Sequence, residues 1–301
     1  MKRKVIQLAG KTLIVSLPSK WAKKNNVEKG DEIDVEEEEK RLIISTEKAT
    51  KTEKIMLNTE ELGTYDPSYI AYIYQAGIDE IRVNYKNREV FKKLQEKITD
   101  LMGYEIVDQG ENYVEIKNVS AALEEEFETI LRRTFYILNE LGKSSLEAIQ
   151  NKKIEQLKDL LPLENSINKF TDFCKRVLNK RGYKDYRKTQ FYYVIIRDLE
   201  KIGDYYHKII QHTIETKTNY SKETTQLYQE TNEFLELFHK LFYKFEKENA
   251  TKFQEKKKEL DKKAKELMKK VNKEELYIIF NLSGLIKMIS DLYGPYYTTR
   301  I

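Results

Sequence analysis

Arg3-Lys4-Val5-Ile6-Gln7-Leu8-Ala9-Gly10-Lys11-Thr12-Leu13-Ile14-Val15-Ser16-Leu17-Pro18 sets two β-rich runs on either side of a glycine turn. Val5–Leu8 and Thr12–Leu17 predict strands, and Ala9-Gly10-Lys11 predicts the turn between them. Pro18-Ser19-Lys20-Trp21 then starts a short helix, because proline fits the first turn, where the backbone N–H has no helical partner anyway. Lys29-Gly30-Asp31 predicts a second turn. Glu32-Ile33-Asp34-Val35-Glu36 alternates as a half-buried strand does, and Leu42-Ile43-Ile44 completes the set. Four short strands and one helical turn make a thin core, near the size at which a single chain struggles to fold alone. Dimerisation is the expected remedy.

Charge is segregated within this segment. Met1–Val27 holds seven basic residues (Lys2, Arg3, Lys4, Lys11, Lys20, Lys23, Lys24) and no acid, whereas Glu28–Glu39 holds eight acids and one lysine. Lys-Glu stretches run through the whole chain, but that bias does not account for a first segment without acids. The unit is therefore a dipolar object with one strongly positive face. The net charge of +4 decides nothing by itself.

Beyond a polar linker near Thr46 to Lys54 the pattern changes. Lys54–Leu57, Glu80–Tyr85, Glu105–Val107 and Tyr113–Ile116 read as strands, with helices over Pro67–Ala76 and Arg88–Leu101. This βαβαββ order predicts a small α+β layer with an open sheet. From Ser120 onward the chain reads as helical: Leu123, Phe127, Ile130, Leu131, Thr134, Phe135, Leu138 and Leu141 form one apolar stripe. Breaks at Pro162, Arg181-Gly182, Thr216–Tyr220, Asn249–Thr251 and Val271–Lys273 divide the remainder into roughly six helices, arranged as antiparallel bundles. The expected architecture is multidomain α+β, with domains over 1–47, 52–118 and 119–301.

Two resemblances rest on these residues. Arg3–Gln7, Gly10–Pro18, Trp21 and Val27–Ile33 resemble the AbrB/SpoVT/MazE swapped-hairpin family along nearly the whole of Met1–Ser45. That resemblance implies a dimeric barrel of two interleaved copies that binds double-stranded DNA. Arg3, Lys4 and Lys11 are the first candidates for contact, with Lys2 and Lys20 in support. They would mainly neutralise phosphates, with Arg3 best suited to read a guanine edge. Trp21 reads as core. Arg197-Asp198-Leu199-Glu200-Lys201-Ile202-Gly203-Asp204-Tyr205-Tyr206 resembles the signature helix of the PhoU family, and Leu163–Phe170 with Arg176-Val177-Leu178 the helix before it. PhoU-like proteins are pairs of three-helix bundles that regulate phosphate uptake, so phosphate-transport or signalling proteins become possible partners.

The same resemblance implies a divalent metal (iron, zinc, magnesium or manganese) on carboxylates four apart. Here the set would be Glu200, Asp204, Asp198 and Glu164. The pattern is incomplete, since Asn168 and Lys287 stand where acids are usual. On the residues alone an ion-paired or solvated helix face, with Arg197 and Lys201 as partners, is the preferred reading. No nucleophile motif, phosphate-binding glycine loop or dinucleotide fingerprint is visible, and His207, His212 and His239 lack paired metal spacing. A single cysteine, Cys174, leaves no intramolecular disulfide. No secretory signal is visible and apolar runs fall short of a membrane span, which predicts a cytoplasmic protein without membrane insertion. The expected function is a homodimeric transcriptional regulator, not an enzyme. An adaptor that docks on a transporter or kinase without binding DNA, and a carboxylate metal-buffering protein, are the alternatives.

Overall fold

A computed structural model describes residues 2–8, 10–38, 41–46, 53–62, 66–119 and 125–301. Ala9 of the expected turn, linker residues 47–52 and Leu123 of the expected stripe lie outside the described residues. The chain divides into two compact units, Met1–Thr52 and Glu53–Ile301.

In the first unit β1 (Ile6–Leu8) and β2 (Thr12–Ile14) form an antiparallel hairpin, with Ile6 opposite Ile14. Gly10 lies in the turn at φ +90°, where a side chain would be strained. A short helix, α1 (Ser19–Lys24), follows Pro18. β3 (Asp34–Glu38) and β4 (Arg41–Ser45) form a second antiparallel hairpin. β2 is shorter than the residue pattern predicts, and β3 is displaced by two residues. β2 ends at Ile14 and not Leu17, because its partner β1 begins at Ile6. β3 begins at Asp34 and not Glu32, because β4 ends opposite it at Ser45.

The second unit begins with a four-stranded sheet ordered β5-β6-β8-β7, built from β5 (Lys54–Asn58), β6 (Glu80–Asn84), β7 (Tyr104–Gln109) and β8 (Tyr113–Asn118). β5 and β6 are parallel, and the other pairs are antiparallel. One face is covered by α2 (Ser68–Gln75) and α3 (Arg88–Thr99), which bury Ile70, Tyr74, Ile81, Val83, Leu94, Val114 and Ile116. Strict alternation along β6 and β8 makes this core possible, because every second side chain points to the helices. The remaining residues of those strands (Arg82, Glu115, Lys117) form the outer face, where Arg82 meets Glu115 at 2.7 Å.

The helical part comprises α4 (Phe127–Gln150), α5 (Ile154–Leu160), α6 (Pro162–Arg181), α7 (Thr189–Thr216), α8 (Lys222–Tyr243), α9 (Lys247–Leu267), α10 (Lys273–Asp291) and α11 (Tyr293–Thr298). α4, α6 and α7 pack on one another, as do α8, α9 and α10. The two sets join where α7 meets α10 and α4 meets α8, around one continuous core. Six of these helices are long, as the stripe pattern predicts; α5 and α11 are additional short ones. The break expected at Asn249–Thr251 lies earlier, over Lys244–Glu246. Asn249 belongs to the first turn of α9, and its amide donates to Glu246 at the helix start (2.8 Å). Lys273–Thr298 is long and apolar enough to cross a bilayer by composition, and half of it is buried against the other helices.

A buried arginine ties the sheet layer to the helices. Arg176 of α6, 1% exposed, donates to the carbonyls of Tyr74 (3.1 Å) and Ile78 (2.5 Å) at the end of α2, and to Asp79 (2.6 Å). The C-terminus of a helix carries unpaired carbonyls and partial negative charge, so a guanidinium there satisfies both. Its planar group also lies over Tyr74 and Tyr104, 5.0 and 5.5 Å from the ring centres. Lys180 reaches Asp79 at 2.5 Å, and Asn179 donates to the Gln75 carbonyl at 2.8 Å. Gly77, at φ +94°, turns the chain out of α2, and a Cβ there would press on Lys180 at 3.2 Å. Replacing Arg176 with methionine leaves Asp79 and two carbonyls short of a buried donor. We predict a loss of about 3–5 kcal/mol in chemical denaturation, the range for a buried pair stripped of one partner.

Candidate nucleic-acid interface

None of the described residues of the first unit is buried. Nine large apolar side chains there are exposed, among them Val5 (63%), Leu13 (67%), Val35 (55%) and Leu42 (63%). The first hairpin is exposed on both faces: Ile6 and Leu8 alternate with Gln7 along β1, and Leu13 lies between Thr12 and Ile14 on β2, all of them exposed. An isolated two-stranded hairpin is marginal in water. Trp21, expected as core, is half-buried on α1.

The basic residues of Met1–Val27 are exposed as well. Lys2, Arg3, Lys4, Lys11, Lys20, Lys23 and Lys24 are all exposed. Lys2, Arg3 and Lys4 lead into β1, and Lys11 stands in the turn at its far end, where the Gln7 amide donates to the Gly10 carbonyl (2.8 Å). Four residues, Val5–Leu8, separate Lys4 from the turn, and extended chain from Lys4 to Leu8 spans roughly 13 Å. The five side chains predicted to meet DNA are therefore spread along a hairpin and the start of α1, as suits successive phosphates better than one point charge. Lys23 and Lys24, in the last turn of α1, are two further exposed basic residues that the residue pattern did not single out for contact. Across the turn at Gly30, Asp31 accepts from the backbone N–H of Glu28 at 2.8 Å, so this first acidic stretch begins with a carboxylate already engaged.

The four carboxylates of the helical part have a different fate. Glu200 and Asp204 do share one face of α7, but Lys175 of α6 forms a short ion pair with Glu200, and Lys201 holds Asp204 at 2.9 Å. Asp198, 2% exposed, accepts from Arg197 at 2.6 Å, and burial pushes its carboxyl up against that pairing. Glu164 accepts from Asn168 at 2.5 Å, with His207 at 4.0 Å. Among the described residues, no three His, Cys, Asp or Glu side chains gather as a metal-ligating group. Each carboxylate already has a cation or amide against it, so the donor set does not fit a bound metal. Lys175, 5% exposed, is the residue that the spacing argument missed. It comes from another helix, and only packing reveals it.

Lys175 also faces Asp172 at 3.5 Å, and Asp172 accepts from Gln75 of α2 at 2.8 Å. A chain of side chains thus runs from Glu200 through Lys175 and Asp172 to the sheet layer.

Residues 6–52 match the family described as "Antidote-toxin recognition MazE, bacterial antitoxin". This is the segment that resembles the swapped-hairpin family in its residue pattern. The chain is also similar to the crystal structure of the phosphate transport system regulatory protein PhoU from Streptococcus pneumoniae, with 18% identity and a TM-score of 0.48 over 60% of this chain and 95% of that one. No curated protein matches the chain.

Burial holds the Asp172 carboxyl well above the usual range, at about 6; Lys175 pulls it down and Glu200 pushes it up. A carboxyl raised by folding stabilises the fold while protonated, and that contribution is lost as pH rises through about 6. Asp172→Asn keeps an acceptor for Gln75 and removes the titration. Its thermal midpoint should therefore gain on the wild type between pH 4.5 and pH 7.5, by the equivalent of roughly 1–3 kcal/mol. A pH-independent difference between the two in parallel melts contradicts this.

Proposed function

We propose that this chain is a homodimeric, DNA-binding transcriptional regulator in which the first unit makes the contact and the helical part receives the signal. One observation carries the reading: a unit without a single buried residue among those described presents a broad apolar surface beside seven exposed basic side chains. The apolar surface calls for a second copy, because covering each large aliphatic side chain stabilises by about 1.5–3 kcal/mol. The match to the MazE family over residues 6–52 agrees with such an interleaved dimer.

Pairing two copies doubles the basic residues and sets them on a two-fold axis, the symmetry of a palindromic operator. Arg3, Lys4 and Lys11 neutralise phosphates along the duplex, with Lys2 and Lys20 extending the track. Arg3 is the residue able to donate two parallel hydrogen bonds to a guanine edge. The input side is a regulator of phosphate uptake. That part of the reading rests on the resemblance of Arg197–Tyr206 to the PhoU signature. With the carboxylates of that helix ion-paired, the signal would arrive through a partner protein or a small anion, not through a resident metal.

Fluorescence anisotropy on fragments of the protein's own upstream DNA, run across a salt series, tests the proposal. Submicromolar binding that weakens steeply with salt is expected. Arg3→Ala/Lys4→Ala/Lys11→Ala should weaken it at least 100-fold and flatten the log–log salt slope by about 0.9 for each phosphate that is no longer neutralised. Binding that is absent, or indifferent to those substitutions, overturns the DNA assignment and moves attention to protein partners of the helical part.

A further inference from the structure

The four-stranded sheet has two edges of different construction. β7 carries a bulge between Ile106 and Asp108, and its exposed Glu105 and Asp108 place charge along it. Bulges and charges are the usual means of keeping an edge from pairing with another chain. β5 has no bulge or proline. Lys54-Ile55-Met56-Leu57-Asn58 pairs residue for residue with β6, and its other side has no strand partner among the described residues. Its only charge, Lys54, is already held by Glu80 at 2.5 Å. Ile55 points to the helix side, opposite the buried Ile81, yet remains 40% exposed. Met56, on the outer face, is 62% exposed. The core is thus left open along this edge.

We propose that β5 pairs antiparallel with β5 of a second copy about a two-fold axis through Met56, joining two four-stranded sheets into one of eight strands. The alternation of the strand selects the register. Side chains directly opposite each other share a face, so Ile55 must meet an inward residue of the other copy, either Ile55 or Leu57. Only pairing with Leu57 engages all five residues. It sets Ile55 against Leu57 twice on the core side, Met56 against Met56 at the axis, and Lys54 against Asn58 twice on the outer face. No like charges oppose each other, and Ile55, 40% exposed, gains an apolar neighbour. The five residues are self-complementary in this one register, which favours a second copy over a foreign strand. This interface is separate from the one proposed for the first unit and does not depend on it.

Oxidative cross-linking of the full chain tests the register. The thiols of two Met56→Cys chains would face each other across one strand gap, with Cβ atoms about 5 Å apart. Those of two Lys54→Cys chains would be offset by four residues, roughly 14 Å. Cys174 is fully buried with its thiol pushed up by that burial, so it stays silent. Under mild oxidation M56C should give at least tenfold more disulfide dimer than K54C, and mixing K54C with N58C should restore the cross-link. Equal yields from M56C and K54C overturn the proposal, as does a chain that is monomeric by light scattering. A dimeric, DNA-binding chain whose M56C thiols do not join overturns this interface and leaves the first unit's dimer intact. A disulfide in M56C without DNA binding does the reverse.

Discussion

The strands of the first unit carry the apolar side chains of a core, yet among the described residues of one chain none of them is buried. Ile6, Leu8, Leu13, Ile14, Val35, Leu42 and Ile43 are all exposed. Two hairpins of three to five residues per strand do not enclose them. Conformational entropy opposes ordering such a segment at about 1–2 kcal/mol per residue, and only apolar burial on a matching scale offsets it. In the proposed dimer a second copy would supply that burial without any new sequence. The basic residues then matter as a pattern, because a two-fold axis repeats Arg3, Lys4 and Lys11 at a fixed spacing. The binding proposal and the folding constraint are in this sense one statement.

The second unit solves the opposite problem, with an ample core and charges buried inside it. Arg176 closes the carbonyl end of α2 and pairs with Asp79, while Lys175, its neighbour in sequence, pairs with Asp172 and Glu200. Consecutive residues on α6 thus face two directions, one toward the sheet layer and one toward α7. Removing either partner of a buried pair is costly, so sheet layer and helices move together or not at all. A ligand or partner that competes for Glu200 would free Lys175 beside Asp172, two side chains from Gln75 of α2.

Much of this was legible in the sequence. Period-two alternation marks β6 and β8 and period 3.6 marks α4, because one face of each is buried in its own chain. Gly10, Pro18 and Pro162 mark their turns and helix start through backbone geometry alone. What escaped depends on other segments. β2 ends opposite the start of β1 and β3 starts opposite the end of β4, and Asn249 reads as a helix breaker until Glu246 is seen to accept from it. Among the site residues, the basic side chains were legible because nothing around them has to be known. For the carboxylates of α7 the ion-paired reading names Arg197 and Lys201, which meet Asp198 and Asp204, but not Lys175, which meets Glu200 from 25 positions away on another helix.

Trp21 is the only tryptophan in the chain and lies in the first unit, so its fluorescence reports on that unit alone. Following its denaturant transition over a hundredfold range of protein concentration asks directly whether a second copy completes the fold. If it does, each tenfold dilution lowers the apparent stability seen by Trp21 by about 1.4 kcal/mol, the mass-action value for a dimer that dissociates on unfolding. A cooperative Trp21 transition whose midpoint ignores concentration means that the segment folds within one chain, and contradicts the account.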